Sequence, residues 1–100
     1  MSTPLNILWI CSDQQSADTI SALGTPYVRT PALDELVRTG VSFDACYTNY
    51  PLCSPARSVM VTGRMACETD VWDNNRRIRE GMPTIGTHFR QAGYETVYAG

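Results

Sequence analysis

Asn6-Ile7-Leu8-Trp9-Ile10-Cys11 runs directly into Ser12-Asp13-Gln14-Gln15, and the reading of the whole chain turns on this junction. The apolar run has no polar alternation, which is the pattern of a strand covered on both faces, as in the sheet of an α/β protein. A polar, acidic cluster directly after such a strand stands at the carboxyl edge of the sheet, where α/β folds place their ligands. Asp13 is thereby a candidate site residue. The competing reading is that Asp13 caps the turn that follows.

Working outward, Thr30-Pro31 with Leu33, Leu36 and Val37 predicts a helix of about nine residues ended by Gly40, with Thr30 as N-cap and proline at the first helical position. Val41, Phe43, Ala45 and Tyr47 then alternate with Ser42, Asp44 and Cys46, the period of a strand with one drier face. After a turn at Asn49-Tyr50-Pro51, a short helix is predicted to begin near Cys53 and run to Gly63, with Pro55 tolerated in its first turn. Residues 67–81 are polar and rich in Asn, Asp and Arg, and are expected to form a surface loop with little regular structure. Pro83-Thr84 opens another helix closed by Gly93, and residues 95–99 resume a strand. The order strand, helix, strand, helix, helix, strand favours an α/β fold. A strand that runs out at Gly100 suggests an incomplete domain.

Composition narrows the functions. The chain has 100 residues and 43% apolar content, enough for one modest core and not for two substantial domains. Eight basic residues stand against 10 acidic ones, a net charge of -2. That balance offers no broad cationic field for a phosphate backbone and argues against nucleic-acid binding. All eight cations are Arg, so lysine Schiff-base and P-loop lysine chemistry are excluded within this chain. The longest apolar run is far short of a bilayer span, and no basic residue precedes it as a secretory signal would require. No membrane segment is expected, and the location expected is cytoplasmic. Four cysteines, Cys11, Cys46, Cys53 and Cys67, are scattered in a way that favours reduced thiols. Paired short spacings for a zinc site with His88 are lacking. His88 falls on the apolar helix face and is expected to be a packing residue.

The stretch with chemical content is Cys53-Ser54-Pro55-Ala56-Arg57, followed by Thr62-Gly63-Arg64. It resembles the signature of the formylglycine-dependent (type I) sulfatases, Cys-x-Pro-x-Arg with Thr-Gly-Arg a few residues on. The resemblance extends across most of the chain. Asn6 to Gln14 looks like the family's first strand and metal-binding acid, and Thr30-Pro31, Leu33-Asp34, Gly40, Phe43 and Tyr47 fit the segment leading to the signature. His88 to Tyr94 resembles the part that leads into a Gly-Lys-Trp-His motif, of which Gly100 would be the glycine.

The resemblance implies an alkaline-phosphatase-like α/β fold, with this chain as the N-terminal part of a mixed, mostly parallel sheet flanked by helices. It implies one incomplete sulfatase catalytic domain over residues 1–100. The implied activity is sulfuric-ester hydrolysis: Cys53, oxidised by a formylglycine-generating enzyme, becomes an aldehyde whose hydrate attacks sulfur. Arg57, one helical turn on, would favour the anionic form of that nucleophile. A divalent cation, Ca²⁺ first and Mn²⁺ or Mg²⁺ as alternatives, would be held by Asp13, by Gln14 and by the modified side chain at Cys53. Gln14 stands where many members have a second Asp, and it brings a neutral carbonyl in place of a charge. This pairing is similar to the choline-sulfatase and phosphonate monoester hydrolase branch. In that branch an Asn 21 positions after the signature Cys contacts the substrate's charged group, a role that would fall to Asn74. The substrate class implied is a small sulfate ester, with a phosphonate or phosphate-diester hydrolase as the alternative.

Local readings stand beside these. Cys53 as a buried thiol, Arg57 and Arg64 as solvated charges, and Asn74 as a turn residue are what each residue type does most often. Family members draw further metal ligands and catalytic Lys and His from sequence not present here. The 100 residues alone are therefore expected to be inactive, and to expose apolar sheet edges that favour aggregation or a homo-oligomer.

Overall fold

The computed structural model describes residues 4–100, which divide between Asp44 and Ala45 into two compact units. In the first unit the regular elements are two 3₁₀ turns, Ala17–Thr19 and Ser21–Leu23, and helix α1, Pro31–Thr39. The predicted α1 is there with its proline at the start and Gly40 as its C-cap, whose N–H donates to Leu36 O at 2.8 Å. The Thr30 hydroxyl, however, makes no capping bond to the helix backbone. Instead it donates to the Asp34 carboxylate at 2.9 Å and accepts from the Ser21 N–H at 2.9 Å. Asp34 also accepts from Ser21 Oγ at 2.6 Å and from the Ala22 N–H at 2.9 Å. These bonds bind the second 3₁₀ turn to the start of α1. They hold the Asp34 carboxyl below its ordinary value of 3.8, chiefly through Ser21, with partial desolvation opposing and Ala22 and Thr30 adding to the effect.

The second unit contains α2, Cys53–Thr62, α3, Ala66–Thr69, and α4, Ile85–Gln91. Helix α2 begins and ends as the sequence predicts. Pro55 occupies its first turn, where a missing N–H costs nothing, and Gly63 closes it in the left-handed region at φ 66°. The chain then reverses through α3, which packs on α2, and α4 also contacts α2. The expected loop over 67–81 is corrected in part: its first residues complete α3, and Val71 is buried to 1% exposure. Helix α4 is capped by Thr84, whose hydroxyl accepts from the Thr87 N–H, and the Tyr94 ring meets Phe89 edge-on at 5.2 Å.

The sheet is the main correction. Among the described residues there is no strand: residues 6–11, 41–47 and 95–99 form no ladder. Leu8 is 84% exposed, Tyr47 90% and Val97 85%, where the pattern predicted burial. The cause is physical. A helix closes its hydrogen bonds within its own segment, whereas a strand gains stability only from a partner and from cover on its faces, and neither is met here. His88, predicted to pack, is exposed. No helix among the described residues is long and apolar enough to cross a membrane.

Candidate active site

In the second unit, Cys53 is the first residue of α2 and is exposed, so the alternative reading of Cys53 as a buried thiol does not hold. Arg57 follows one turn later on the same helix and is also exposed. The helix carrying both is anchored from behind. Pro55 and Ser58 face inward, and the Ser58 hydroxyl contacts Pro55 O at 2.7 Å and Thr69 Oγ1 at 3.0 Å. Thr69, fully buried, in turn reaches Ala66 O at 3.0 Å. A buried hydroxyl without a partner costs roughly 1 to 3 kcal/mol, and these two satisfy each other and the backbone at once. Alternation of exposed Cys53 and Arg57 with inward Pro55 and Ser58 therefore turns the chemical side chains outward.

Asn74 sits in the turn at residues 73–75, so the turn reading is correct, but the residue does more than turn the chain. Asp73 Oδ1 accepts from the Asn75 N–H at 2.7 Å, which shapes the turn. Its flank is held by Arg76, whose guanidinium lies 4.5 Å from the centre of the Trp72 ring and pairs with Asp73 at 3.6 Å. The Asn74 side chain then reaches α2: its Oδ1 accepts from the Ser54 N–H at 3.0 Å. Cys53 and Asn74, 21 positions apart, are in this way brought to the same helix end. The expected spacing gave the residue, while the acceptor role toward α2 was not legible in the sequence.

Arg64 fits the solvated reading. It pairs with Glu68 at 3.6 Å with both side chains about half exposed, a pair worth at most about 1 kcal/mol. Arg64 and Glu68, with Arg79, Glu80 and Met82, line an open cleft of about 500 Å³. A smaller hollow of about 300 Å³ is bordered by Tyr50, Cys67 and Trp72. Cys53, Arg57 and Asn74 line neither.

Asp13 and Gln14 belong to the first unit and are exposed in a bend. Ser16 is the residue that precedes the turn Ala17–Thr19. Gln14 has φ 51°, in the left-handed region that non-glycine residues enter at a cost of about 1 to 2 kcal/mol. Asp70 shares that geometry at φ 62°, but there it closes α3, whereas Gln14 closes no helix. Backbone strain of this kind clusters where function dictates conformation. A carboxylate and a carboxamide carbonyl are hard oxygen donors, the type that Ca²⁺ and Mg²⁺ accept, so these two side chains fit such an ion as part of a larger ligand set. Among the described residues, no group of three or more His, Cys, Asp or Glu is gathered to hold a metal.

The Cys-x-Pro-x-Arg run that resembles the sulfatase signature thus opens α2, with Asn74 folded onto the same start. The chain belongs to that family: the family model Sulfatase matches residues 5–100. It is 33% identical over 95 residues to the uncharacterized sulfatase YidJ of Escherichia coli K12, and 32% identical over 95 residues to an ulvan-active sulfatase of Formosa agariphila. It is 34% identical over 95 residues to a choline-sulfatase of Rhizobium meliloti. In each case the match takes in 95% of this chain and 19% of the relative, so the chain spans about a fifth of the length of these curated relatives. No solved structure matches it. Membership of the family implies the alkaline-phosphatase-like fold in general terms, although no sheet is formed among the described residues.

Proposed function

We propose that this chain supplies the nucleophile-bearing part of a sulfatase catalytic domain, and that the protein hydrolyses small sulfate esters through a formylglycine derived from Cys53. The observation that carries this reading is the placement of Cys53 at the exposed start of α2 with Arg57 one turn on, within a chain matched to the sulfatase family over residues 5–100. When present, the hydrated aldehyde supplies one hydroxyl for attack at sulfur and a second for release of sulfate. A divalent cation, Ca²⁺ by preference and Mg²⁺ or Mn²⁺ otherwise, would be held in part by Asp13 and Gln14 and would supply charge stabilisation to the ester oxygens.

The chain's own residues do the rest. The Arg57 guanidinium favours an anionic side chain at position 53, since an opposite charge nearby stabilises the ionised form. Asn74 offers an amide N–H donor at the same helix end, suited to an oxygen of the sulfuryl group. Pro55, Ser58 and Thr69 keep the helix seated so that these groups hold their directions.

The reading is tested by mapping the peptide around Cys53 in protein produced together with a formylglycine-generating enzyme. The expected peptide is about 18 Da lighter than the cysteine form, a change outside the usual thiol oxidation ladder. An unaltered thiol in every preparation overturns the proposal. A second reading, phosphonate or phosphate-diester hydrolysis, is favoured by the neutral Gln14 beside Asp13. Side-by-side turnover of an aryl sulfate and an aryl phosphonate ester separates the two, and cleavage of the phosphonate alone decides for the second.

A further inference from the structure

A helix start leaves four N–H groups without intrahelical partners. At α2 they belong to Leu52, Cys53, Ser54 and Pro55. Leu52 donates to Tyr50 O at 2.9 Å, and Pro55 has no N–H to satisfy. The N-cap position is Leu52, whose side chain cannot accept a hydrogen bond, so the helix lacks the Ser, Thr, Asp or Asn that normally secures its first turn. That acceptor arrives from elsewhere: Asn74 Oδ1 takes the Ser54 N–H at 3.0 Å from 20 residues down the chain. Because the partner is a donor, only the carbonyl oxygen of the carboxamide can face it. The flip of the Asn74 amide is fixed by that chemistry, and its NH₂ group is the end left to meet an anion.

We propose that Asn74 is a positioning residue, a cap supplied from a distant turn that fixes the first turn of α2 and with it the backbone on which Cys53 is carried. This deepens the role given to Asn74 above and rests on the reading of Cys53 as the reacting residue. The turn is itself well braced, through Asp73 and Arg76 on one side and buried Val71 on the other. The tether therefore connects α2 to a turn that has bonds of its own. It uses the amide in both senses: the oxygen orders the helix, and the same bond aims the NH₂ group.

Two variants of the chain separate this from a general loss of stability. Asn74→Ala removes the acceptor, while Asn74→Asp keeps an acceptor and adds a charge that a helix N-terminus favours. Amide hydrogen exchange read residue by residue is the measurement. In Asn74→Ala the Ser54 N–H is expected to exchange roughly five- to tenfold faster, with Val61 and Thr62 at the far end of α2 unchanged. The Cys53 amide-to-Hα coupling should move from a helical value toward coil. Both readouts should return to their original values in Asn74→Asp. Unchanged Ser54 exchange in Asn74→Ala overturns the proposal, and so does an Asn74→Asp variant that behaves like alanine or an equal rise in exchange at both helix ends. A Cys53 that is never converted to the aldehyde, with Ser54 exchange as expected, would sink the catalytic reading and leave the tether standing.

Discussion

Residues 6–11 and residues 53–76 are both rich in structural signals, yet only the second stretch realises them. The first carries the most apolar run of the chain, and its Leu8 and Ile10 are more than three-quarters exposed. The second owes its order to a proline, a left-handed glycine, two buried hydroxyls and one carboxamide, with Ala66 and Val71 as its buried apolar residues. The difference shows that apolar content alone does not order a segment. What orders it is whether each backbone group finds a partner within reach of the local chain.

Three substitutions sharpen that contrast. The largest expected effect is Val71→Ala, because Val71 is buried to 1% exposure three residues before Asn74. Loss of its buried methyls and the resulting cavity should cost about 2 kcal/mol, read from the urea midpoint at constant slope. An effect below about 0.5 kcal/mol would mean that the 53–76 region is held by its polar bonds alone.

A smaller, pH-dependent effect is expected in the first unit. The folded-state value of Asp34 lies below 3.8, so the unfolded chain binds the proton more readily than the folded one. The stabilisation is complete above the unfolded value and is lost as the pH falls through the lowered folded one. Exchange protection in α1 should therefore weaken below about pH 4, the ordinary aspartate range. Asp34→Asn should remove that pH dependence while keeping part of the hydrogen bonding to Ser21 and Ala22. An acid response unaltered by Asp34→Asn would assign it to another carboxylate.

The smallest effect should come from Leu8→Ser. Were residues 6–11 a covered strand, this change would cost several kcal/mol; at 84% exposure it should change stability by less than about 0.5 kcal/mol. A loss above 2 kcal/mol would show that the apolar run is buried after all and would erase the contrast between the two regions.

Much of the candidate site was legible in the amino-acid sequence. Cys53, Arg57 and Asn74 were marked by spacing and by resemblance, and Pro31, Gly40, Pro55 and Gly63 marked the ends of α1 and α2. Those ends could be read because a proline ring and a glycine at φ 66° act through their own backbone, independent of what lies far along the chain. The strands could not be verified in the same way, since alternation and apolar runs state only a demand for burial and leave the partner unnamed. The pairing of Ser58 with Thr69 and the reach of Asn74 to the Ser54 N–H span 11 and 20 residues, and no periodicity records either. The sequence by itself determined that α1, α2 and α4 form and where α1 and α2 stop, because those are short-range consequences of covalent geometry and residue type. Only the tertiary structure decided which way Cys53 faces, what caps its helix and which apolar residues are covered, because those depend on groups brought together by the path of the chain.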